Sequence, residues 1–235
     1  MQSLVEVKDL RAGYAGREVV HGVSFAIAPG EIFAVVGESG SGKSTLAKTL
    51  AGLVKPSGGE FAIRASSVQM IFQDAVGSLN PRMSIRTALE EALLFGGATA
   101  RSGLAAEVAS LLEAVGLSEA VLEQYPRELS GGQCQRISIA RALARKPGLL
   151  IADEPVSALD VSVQARILNL LRELRIRMGL SILLVAHDLA VVKNVCDRVA
   201  VMEKGVFAEC AHCEELFADP RSDYARRLLA AVPRI

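Results

Sequence analysis

The sequence predicts an α/β fold with a mostly parallel sheet. Three apolar runs are typical of strands that are buried on both faces, and a segment with helical periodicity follows each of them. These runs are Ile32–Val36, Leu149–Ala152 and Ser181–Val185. Strands of this kind that alternate with helices indicate a sheet whose faces are covered by helices.

The composition fits one α/β domain, or one domain with a smaller lobe, in 235 residues. The 26 basic residues balance the 26 acidic ones, so charge alone draws the chain neither to nucleic acid nor to anionic lipid. Hydrophobic residues make up 51% of the chain, yet no apolar run approaches the roughly 20 residues of a membrane span. The strand pattern begins directly after Met1-Gln2-Ser3, and only four cysteines are present. We therefore expect no secretory signal, a cytoplasmic protein and a partner that covers apolar surface.

The N-terminal segment predicts a small antiparallel lobe. Leu4–Leu10 alternates like a half-exposed strand, Ala12–Gly16 reads as a turn, and Val19–Ile27 reads as a second strand. Tyr14 lies in the predicted turn, just ahead of the first buried strand. Its ring could stack on an adenine or be an ordinary surface side chain, and the residues alone favour neither.

A glycine-rich motif, GESGSGKST at Gly37–Thr45, follows the buried run that ends at Val36. The apolar spacing of Leu46–Leu53 predicts a helix directly after it. In a strand–loop–helix unit of this kind, backbone N–H groups converge on an anion and the helix dipole adds partial positive charge. Lys43 can reach the β- and γ-phosphates and Ser44 can bind magnesium. The motif predicts a P-loop that binds nucleotide phosphates, with these binding residues: Gly37, Ser39, Gly40, Gly42, Lys43, Ser44 and Thr45.

Two short strands are predicted next. A break at Lys55–Gly59 precedes the first, Glu60–Arg64, and a tight link leads to the second, Val68–Phe72. Gln73 comes at the end of the second strand. Near a nucleotide, its amide could orient an attacking water or contact the metal. It could equally cap a turn.

The middle of the chain predicts an inserted helical lobe at roughly residues 84–126. Thr87–Phe95 and Ala105–Val115 carry apolar residues at helical spacing, and Gly96-Gly97 separates them. Together with a further helix at Gln133–Arg145, they form a helical subdomain of approximately residues 84–145. Alanine, leucine and glutamate dominate the lobe, which favours helix over strand.

A second anion-binding helix start is predicted at Leu129–Gln133. Ser130 is a helix N-cap type of residue, and Gly131 and Gly132 let the backbone approach a ligand closely. Nothing in the residues requires this helix start to serve the same nucleotide as the P-loop.

Two adjacent carboxylates, Asp153 and Glu154, follow the buried run that ends at Ala152. If the extended geometry continues, their side chains point in opposite directions. One could then hold Mg²⁺ through water, while the other faces the γ-phosphate as a base. The alternative is a structural pair of surface acids.

His187 is a further candidate residue for the site. Asp160 precedes the most amphipathic helix of the chain, and His187 follows the strand Ser181–Val185. Strand ends face ligands in open α/β sheets, so His187 could donate a hydrogen bond to the γ-phosphate. On its own it could also be a satisfied loop histidine.

The C-terminal part predicts a short helix at Leu189–Cys196, a hairpin around Glu203-Lys204-Gly205 and a helix near Asp223–Ala231. Cys210 and Cys213 have the spacing of a redox or metal motif. One such pair with a single interior histidine supplies too few ligands for a closed zinc site, and no βαβ redox unit precedes it. We expect no metal there.

Five features in a fixed order now resemble the ATPase subunit of ATP-binding cassette (ABC) transporters over almost the whole chain. They are GESGSGKST, Gln73, LSGGQCQR at Leu129–Arg136, LLIADEP at Leu149–Pro155, and His187. Leu-Ser-Gly-Gly-Gln is the specific part, because other P-loop ATPases lack it. The resemblance implies a P-loop NTPase core with a reduced N-terminal antiparallel β lobe and an inserted α-helical lobe, all in one domain of residues 1–235.

The resemblance also implies roles for single residues. Tyr14 matches the adenine-stacking tyrosine and Gln73 the Q-loop glutamine, which contacts the metal and the attacking water. Asp153 matches the aspartate on the magnesium side, with Ser44, and Glu154 matches the general base. The remaining matches are the signature residues Ser130, Gly131 and Gly132, the D-loop Asp160 and the switch His187.

A narrower likeness is to the ATPases of oligopeptide, dipeptide and nickel importers. It is carried by IFQD at Ile71–Asp74, GSLNPRM at Gly77–Met83 and the ending DYARRLLAAVP. The stretch between Gly59 and Val68 is far shorter than is usual in the family, and the chain stops right after Ala231-Val232-Pro233, where many relatives carry a longer tail.

The implied function is an ATP-driven import motor for peptides or for nickel and other metal chelates. It would act at the cytoplasmic face of the membrane with a second ABC ATPase subunit, integral membrane permease subunits and, indirectly, a substrate-binding protein. A soluble, non-transport ABC ATPase is the alternative. The balanced charge argues against a nucleic-acid partner, and a small-molecule kinase would not explain the LSGGQ signature.

Overall fold

The computed structural model describes residues 2–96 and 103–231. Gly97, Val232 and Pro233, which belong to predicted features, lie outside these ranges. The strands are β1 Val5–Tyr14, β2 Arg17–Ile27, β3 Ile32–Val36, β4 Pro56–Ile63, β5 Val68–Ile71, β6 Leu149–Asp153, β7 Ser181–Ala186, β8 Arg198–Glu203 and β9 Val206–His212. The helices are α1 Lys43–Leu50, α2 Ile85–Phe95, α3 Leu104–Ala114, α4 Gly131–Leu143, α5 Val161–Met178, α6 Leu189–Val192, α7 Cys213–Ala218 and α8 Asp223–Ala230.

The central sheet has six strands in the order β5-β6-β7-β3-β8-β9. All neighbours pair in parallel except β8 and β9, which form the predicted hairpin. Every residue of β3, β6 and β7 is buried, as the continuous apolar runs predict. The α/β fold with a mostly parallel sheet is therefore confirmed.

Alternate residues of the central strands contribute to two hydrophobic cores. Phe33 and Val35 face α1 and the N-terminal sheet, while Ile32, Ala34 and Val36 face the core that includes α4 and α5. Because strand side chains alternate between the two faces, each central strand contributes to both cores.

The N-terminal sheet is antiparallel, with three strands in the order β2-β1-β4. The predicted turn at Ala12–Gly16 is too long, because β1 pairs with β2 as far as Tyr14 and Arg17. The connection is the two residues Ala15 and Gly16, both with positive φ, as the tightest hairpins require.

The predicted break before Glu60 is wrong, because β4 already begins at Pro56. β4 is an edge strand of its sheet, where a proline does not interrupt a ladder. Gly59 has φ +73° and lies next to the irregularity at which the β1–β4 register shifts between Lys8 and Arg11. The two predicted short strands thus belong to different sheets, and the link Arg64–Ser67 joins them.

The helical lobe contains α2 and α3, which pack against each other and against α4. Two arginines of α4, Arg136 and Arg141, donate to the backbone carbonyls of Val115 and Ser78, and Arg145, two residues beyond the helix, donates to that of Phe95. α4 begins two residues earlier than predicted because Ser130 and Gln133 form a capping box, which ties the first turn together. These contacts fix the start of α4 relative to the lobe.

Other helix ends also differ from the prediction. α1 includes Lys43, Ser44 and Thr45 of the glycine-rich motif and ends at Leu50 rather than Leu53. The predicted helix Leu189–Cys196 is a single turn, and α7 was not predicted. α7 was missed because it is short and begins directly after β9, with no loop residues between them to indicate a new element.

Gly59→Ala is expected to destabilise the protein more than Gly52→Ala. Both glycines have positive φ, but a Cβ at Gly59 would lie 2.1 Å from the Asp9 carbonyl oxygen, whereas one at Gly52 meets nothing within 4 Å. Gly52→Ala should cost about 1–2 kcal/mol of backbone strain, and Gly59→Ala about 1–3 kcal/mol more. Urea unfolding of both variants measures the difference, and equal losses would contradict the close approach.

Candidate nucleotide site

The glycine-rich loop connects β3 to α1 at the carboxyl end of the central sheet. Gly42 is the N-cap of α1 with φ 107°, a conformation that only glycine adopts readily. At Gly37 a Cβ would lie 2.2 Å from the Met202 carbonyl oxygen. Glycine is therefore required at both positions, since one needs the backbone conformation and the other the close approach of β8.

Lys43 is buried inside this loop. Its Nζ donates to the carbonyl oxygens of Gly37 at 2.7 Å and Glu38 at 2.8 Å. Burial lowers the pKa of Lys43, and the nearby charges of Glu154 and Asp153 oppose that shift. The ammonium is thus held by the loop itself, at the start of a helix whose dipole favours anions.

Ser44 and Asp153 meet between the loop and the end of β6. Ser44 Oγ donates to Asp153 Oδ1 at 2.9 Å. Asp153 is buried, and this burial raises the pKa of its carboxyl, against the hydrogen bond from Ser44. A hydroxyl and a carboxylate are the hard oxygen donors that Mg²⁺ takes, usually with water and phosphate as its other ligands. In the described ranges no three His, Cys, Asp or Glu residues form a metal cluster, so the pair fits magnesium better than an all-protein metal cage.

Glu154 does not continue the extended strand. Its φ is +47°, so the simple alternation expected for the two carboxylates is wrong. Glu154 Oε2 accepts from Gln73 Nε2 at 3.0 Å and lies 3.5 Å from His187 Nδ1. Because β5, β6 and β7 are neighbours in the sheet, the three polar residues that follow them converge on one point.

A cavity of about 510 Å³ joins these groups. The residues that line it are Val19, Glu38, Ser39, Gly40, Gly42, Lys43, Ser44, Thr45, Gln73, Glu154 and His187. Most of them were predicted from the sequence. Val19 was not, because it comes from β2 and no local pattern indicates that the strand reaches the loop. Glu38 was not predicted either, because it occupies a variable position of the motif. Its contacts are made by its backbone, whose carbonyl accepts from Lys43 and whose N–H donates to Tyr224.

Besides Gly37 at the start of the loop, five predicted binding residues are not among those that line this cavity: Tyr14, Ser130, Gly131, Gly132 and Asp160. Tyr14 ends β1 and is 49% exposed. Asp160 is the N-cap of α5, and its Oδ1 accepts from the Val163 backbone N–H at 3.0 Å. A Cβ on Gly132 would lie 2.7 Å from Val163 Cγ1. The signature turn and the start of α5 are therefore neighbours.

The two cysteines of the CxxC pair differ in burial and in their contacts. Cys213 is buried at the start of α7, where its thiol donates to the Lys193 carbonyl oxygen at 3.4 Å, while Cys210 is exposed. The part of the chain that the structure describes holds no metal-type cluster at this pair.

Comparison with known proteins decides the family. The family described as "ABC transporter" matches residues 20–157, more than half of the chain. The chain belongs to the ABC transporter family. The oligopeptide transport ATP-binding protein OppF of Escherichia coli is 45% identical over 232 residues, which cover 92% of this chain and 70% of OppF. A putative peptide import ATP-binding protein of Brucella abortus is 42% identical and covers 98% of this chain and 78% of the relative.

Solved structures agree with the family. The cbiO1 structure from Clostridium perfringens, part of the transporter complex cbiONQ, has a TM-score of 0.83 and 28% identity, with 100% of this chain and 97% of that chain covered. The dimeric cassette MJ0796 bound to ADP and Pi has a TM-score of 0.78 and 28% identity, covering 89% and 98%. The predicted fold and the predicted ATPase subunit of an ABC importer are confirmed. Within the described ranges, no helix has the length and apolar character of a membrane span.

Asp153→Asn is expected to raise the melting temperature of the nucleotide-free protein at pH 8 by a few degrees, roughly the effect of 1 kcal/mol in a domain of this size. Burial raises the pKa of Asp153, so its charge costs stability above the folded pKa and nothing below the unfolded one. Asparagine removes that cost and can still accept from Ser44.

Differential scanning calorimetry at pH 8 and at pH 4, close to the ordinary pKa of an aspartate, checks this, and the gain should shrink at pH 4. Ser44→Ala, which removes the hydrogen bond to the carboxylate, should lower the melting temperature. A gain from Asp153→Asn that is equal at both pH values would show that the buried charge is not its cause.

Proposed function

We propose that this chain binds Mg-ATP in the cavity and hydrolyses it to power peptide import through partner membrane subunits. One observation carries the proposal. Glu154 turns out of β6 to meet Gln73 and His187 beside the Ser44–Asp153 pair, on the cavity that the P-loop forms. Hydrolysis of a nucleoside triphosphate needs a loop that binds the phosphates, oxygen donors that bind the metal ion and a fixed carboxylate that activates water.

The loop and α1 hold the phosphates in this proposal. Backbone N–H groups of the loop and of the first turn of α1 face the anion, except that of Ser41, which donates to the Glu38 carbonyl oxygen at 3.2 Å. Lys43 Nζ extends from its carbonyl partners to the β- and γ-phosphates. Ser44 and Asp153 hold Mg²⁺, directly or through water, with Gln73 as a further oxygen donor. The bound ion neutralises phosphate charge.

Glu154 serves as the general base. Its carboxylate lies on the cavity and is held by Gln73 Nε2, so it can take the proton of a water that attacks the γ-phosphate. His187 is half-exposed at the same point and can donate to the γ-phosphate. Since Gln73 and His187 contact Glu154 from two neighbouring strands, they fix the direction of its carboxylate.

A second cassette completes the site. Ser130, Gly131 and Gly132 form a capped helix start away from the cavity of their own chain. In a head-to-tail pair, this helix start and the neighbouring Asp160 face the ATP of the partner. The solved relative MJ0796 is described as dimeric. Closure by ATP requires that the closed pair bind it more tightly than the open pair.

Tyr14 is the proposed adenine platform. It ends β1 with its ring half-exposed, and it pairs with Arg17 at the start of β2. Val19, two residues further along β2, lines the cavity. Because Tyr14 belongs to the hairpin whose second strand lines the cavity, its half-exposed ring is the aromatic face proposed to stack on the base.

A surface groove of about 330 Å³ is the proposed contact for a membrane permease subunit. It runs between the end of α1, β5, α2 and α4, and its exposed apolar residues include Leu53, Phe72 and Phe95. Exposed apolar patches of this kind mark protein interaction sites. The protein would then sit at the cytoplasmic face of the membrane.

Peptides are the proposed cargo, delivered by a substrate-binding protein. OppF of Escherichia coli, OppF of Salmonella typhimurium and a protein of Brucella ovis each match more than nine-tenths of the chain and are named for oligopeptide transport or peptide import, which favours peptides over nickel chelates. The same names favour a transporter over a soluble ATPase.

Glu154→Gln is expected to bind ATP with unchanged affinity and to lower kcat for hydrolysis at least about 100-fold, the scale of a general base. Glutamine keeps the size and the amide contact but takes no proton. Glu173→Gln, on the exposed face of α5, is the matched control and should hydrolyse ATP normally. Phosphate release and analogue titration measure the two quantities. Full activity in Glu154→Gln would remove Glu154 from the mechanism.

Phe95→Asp is expected to abolish co-purification with membrane subunits from detergent-solubilised membranes, while ATP binding persists. Phe95 is 72% exposed and lines the groove, whereas Ile176 on α5 is 74% exposed and lies elsewhere. Ile176→Asp is therefore a control of equal exposure and should co-purify like the wild type. Recovery of the wild-type chain alone, in the soluble fraction and active, would instead favour a soluble ATPase.

A further inference from the structure

The C-terminal helix α8 contacts the start of the phosphate loop through one side chain. The Glu38 backbone N–H donates to the Tyr224 hydroxyl oxygen at 3.0 Å. Tyr224 is 5% exposed, and burial raises the pKa of its hydroxyl, so the group stays neutral. The contact joins residues 186 positions apart in the sequence, and it places α8 next to the phosphate loop.

This hydrogen bond fixes the peptide plane between Gly37 and Glu38. In a trans peptide the C=O and the following N–H point in opposite directions. While the N–H of Glu38 points to Tyr224, the carbonyl of Gly37 accepts from Lys43 Nζ at 2.7 Å. One planar unit thus links the tyrosine hydroxyl to the ammonium that binds phosphate.

The position of Tyr224 is itself well determined. Glu209 of β9 accepts from the backbone N–H groups of Arg221 and Ser222, and Ser222 caps α8 by accepting from Ala225 N–H. Arg227 lies over the Tyr224 ring, 5.5 Å from its centroid, and pairs with Glu203 of β8. The helix start and the ring are therefore both fixed to the β8–β9 hairpin.

The same hairpin holds the loop at a second point. Gly205, in the β8–β9 turn, donates to the Ser41 carbonyl oxygen at 2.8 Å. The loop is thus supported from behind by the hairpin and by α8. Preorganisation of this kind reduces the free energy spent on ordering a site when the ligand binds.

We infer that Tyr224 is a positioning residue for Lys43, acting through the Gly37–Glu38 peptide to preset the loop for the phosphates of ATP. The inference rests on the proposed nucleotide binding in the same cavity. It concerns affinity more than chemistry, because Glu154 and its partners lie at the ends of other strands.

Tyr224→Phe tests the inference, since it removes the acceptor and keeps the ring. We expect the KM for ATP to rise about five- to tenfold, the effect of one lost hydrogen bond. kcat should stay within about twofold. Calorimetric titration of the purified full-length chain with a non-hydrolysable ATP analogue should show the same fold-change in Kd. Thermal unfolding shows whether the variant is folded.

Arg226→Met is the matched control, because Arg226 is exposed on the same helix and its guanidinium bonds to Pro220 and Asp223 rather than to the tyrosine ring. It should leave KM and the analogue Kd within about twofold of wild type. Unchanged KM and Kd in Tyr224→Phe, a fall in kcat alone, or an equal effect of Arg226→Met would overturn the inference. A wild-type chain that binds the analogue and does not hydrolyse ATP would contradict the proposed function, while the analogue Kd would still decide the role of Tyr224.

Discussion

The site depends on the register of four parallel strands. Ile71, Ala152 and Leu184 lie side by side on β5, β6 and β7, and Val36 pairs with Ala186 across β3 and β7. The four strands therefore end within two residues of one level, so the residues that follow them lie close together. Burial of β3, β6 and β7 on both faces holds this register, because a slip by one residue would exchange the side chains of the two cores.

The backbone at Glu154 determines what that convergence can do. An extended residue would have directed the carboxylate away from Asp153, whereas the left-handed conformation brings it to Gln73 and His187. The Glu154 backbone N–H donates to the Val185 carbonyl oxygen at 3.0 Å, which helps to hold this conformation. Non-glycine residues with positive φ cost free energy, and they occur where surrounding contacts impose them.

The sequence predicts best where local chemistry and burial agree. β3 was predicted residue for residue, since five apolar residues between a Pro-Gly turn and a glycine loop leave few alternatives. The prediction at Pro56–Gly59 was wrong because pairing at a sheet edge outweighs the penalties of those residue types. Val19 and Tyr224 could not have been placed near the loop, because each contact is set by tertiary packing. The roles of Tyr14, Ser130 and Asp160 concern a ligand or a second chain, so they stay predictions.

Phe72 and Gln73 are adjacent, yet the first lines the groove and the second lines the cavity and contacts Glu154. The two surfaces are thus separated by a single peptide unit. If a partner in the groove binds more tightly to one conformation of this strand end, it shifts the conformational equilibrium of the adjacent Gln73 side chain. Thermodynamic linkage makes the effect reciprocal, so a nucleotide that moves Gln73 changes the affinity of the groove by the same factor. No long pathway through the protein is needed to join the two events.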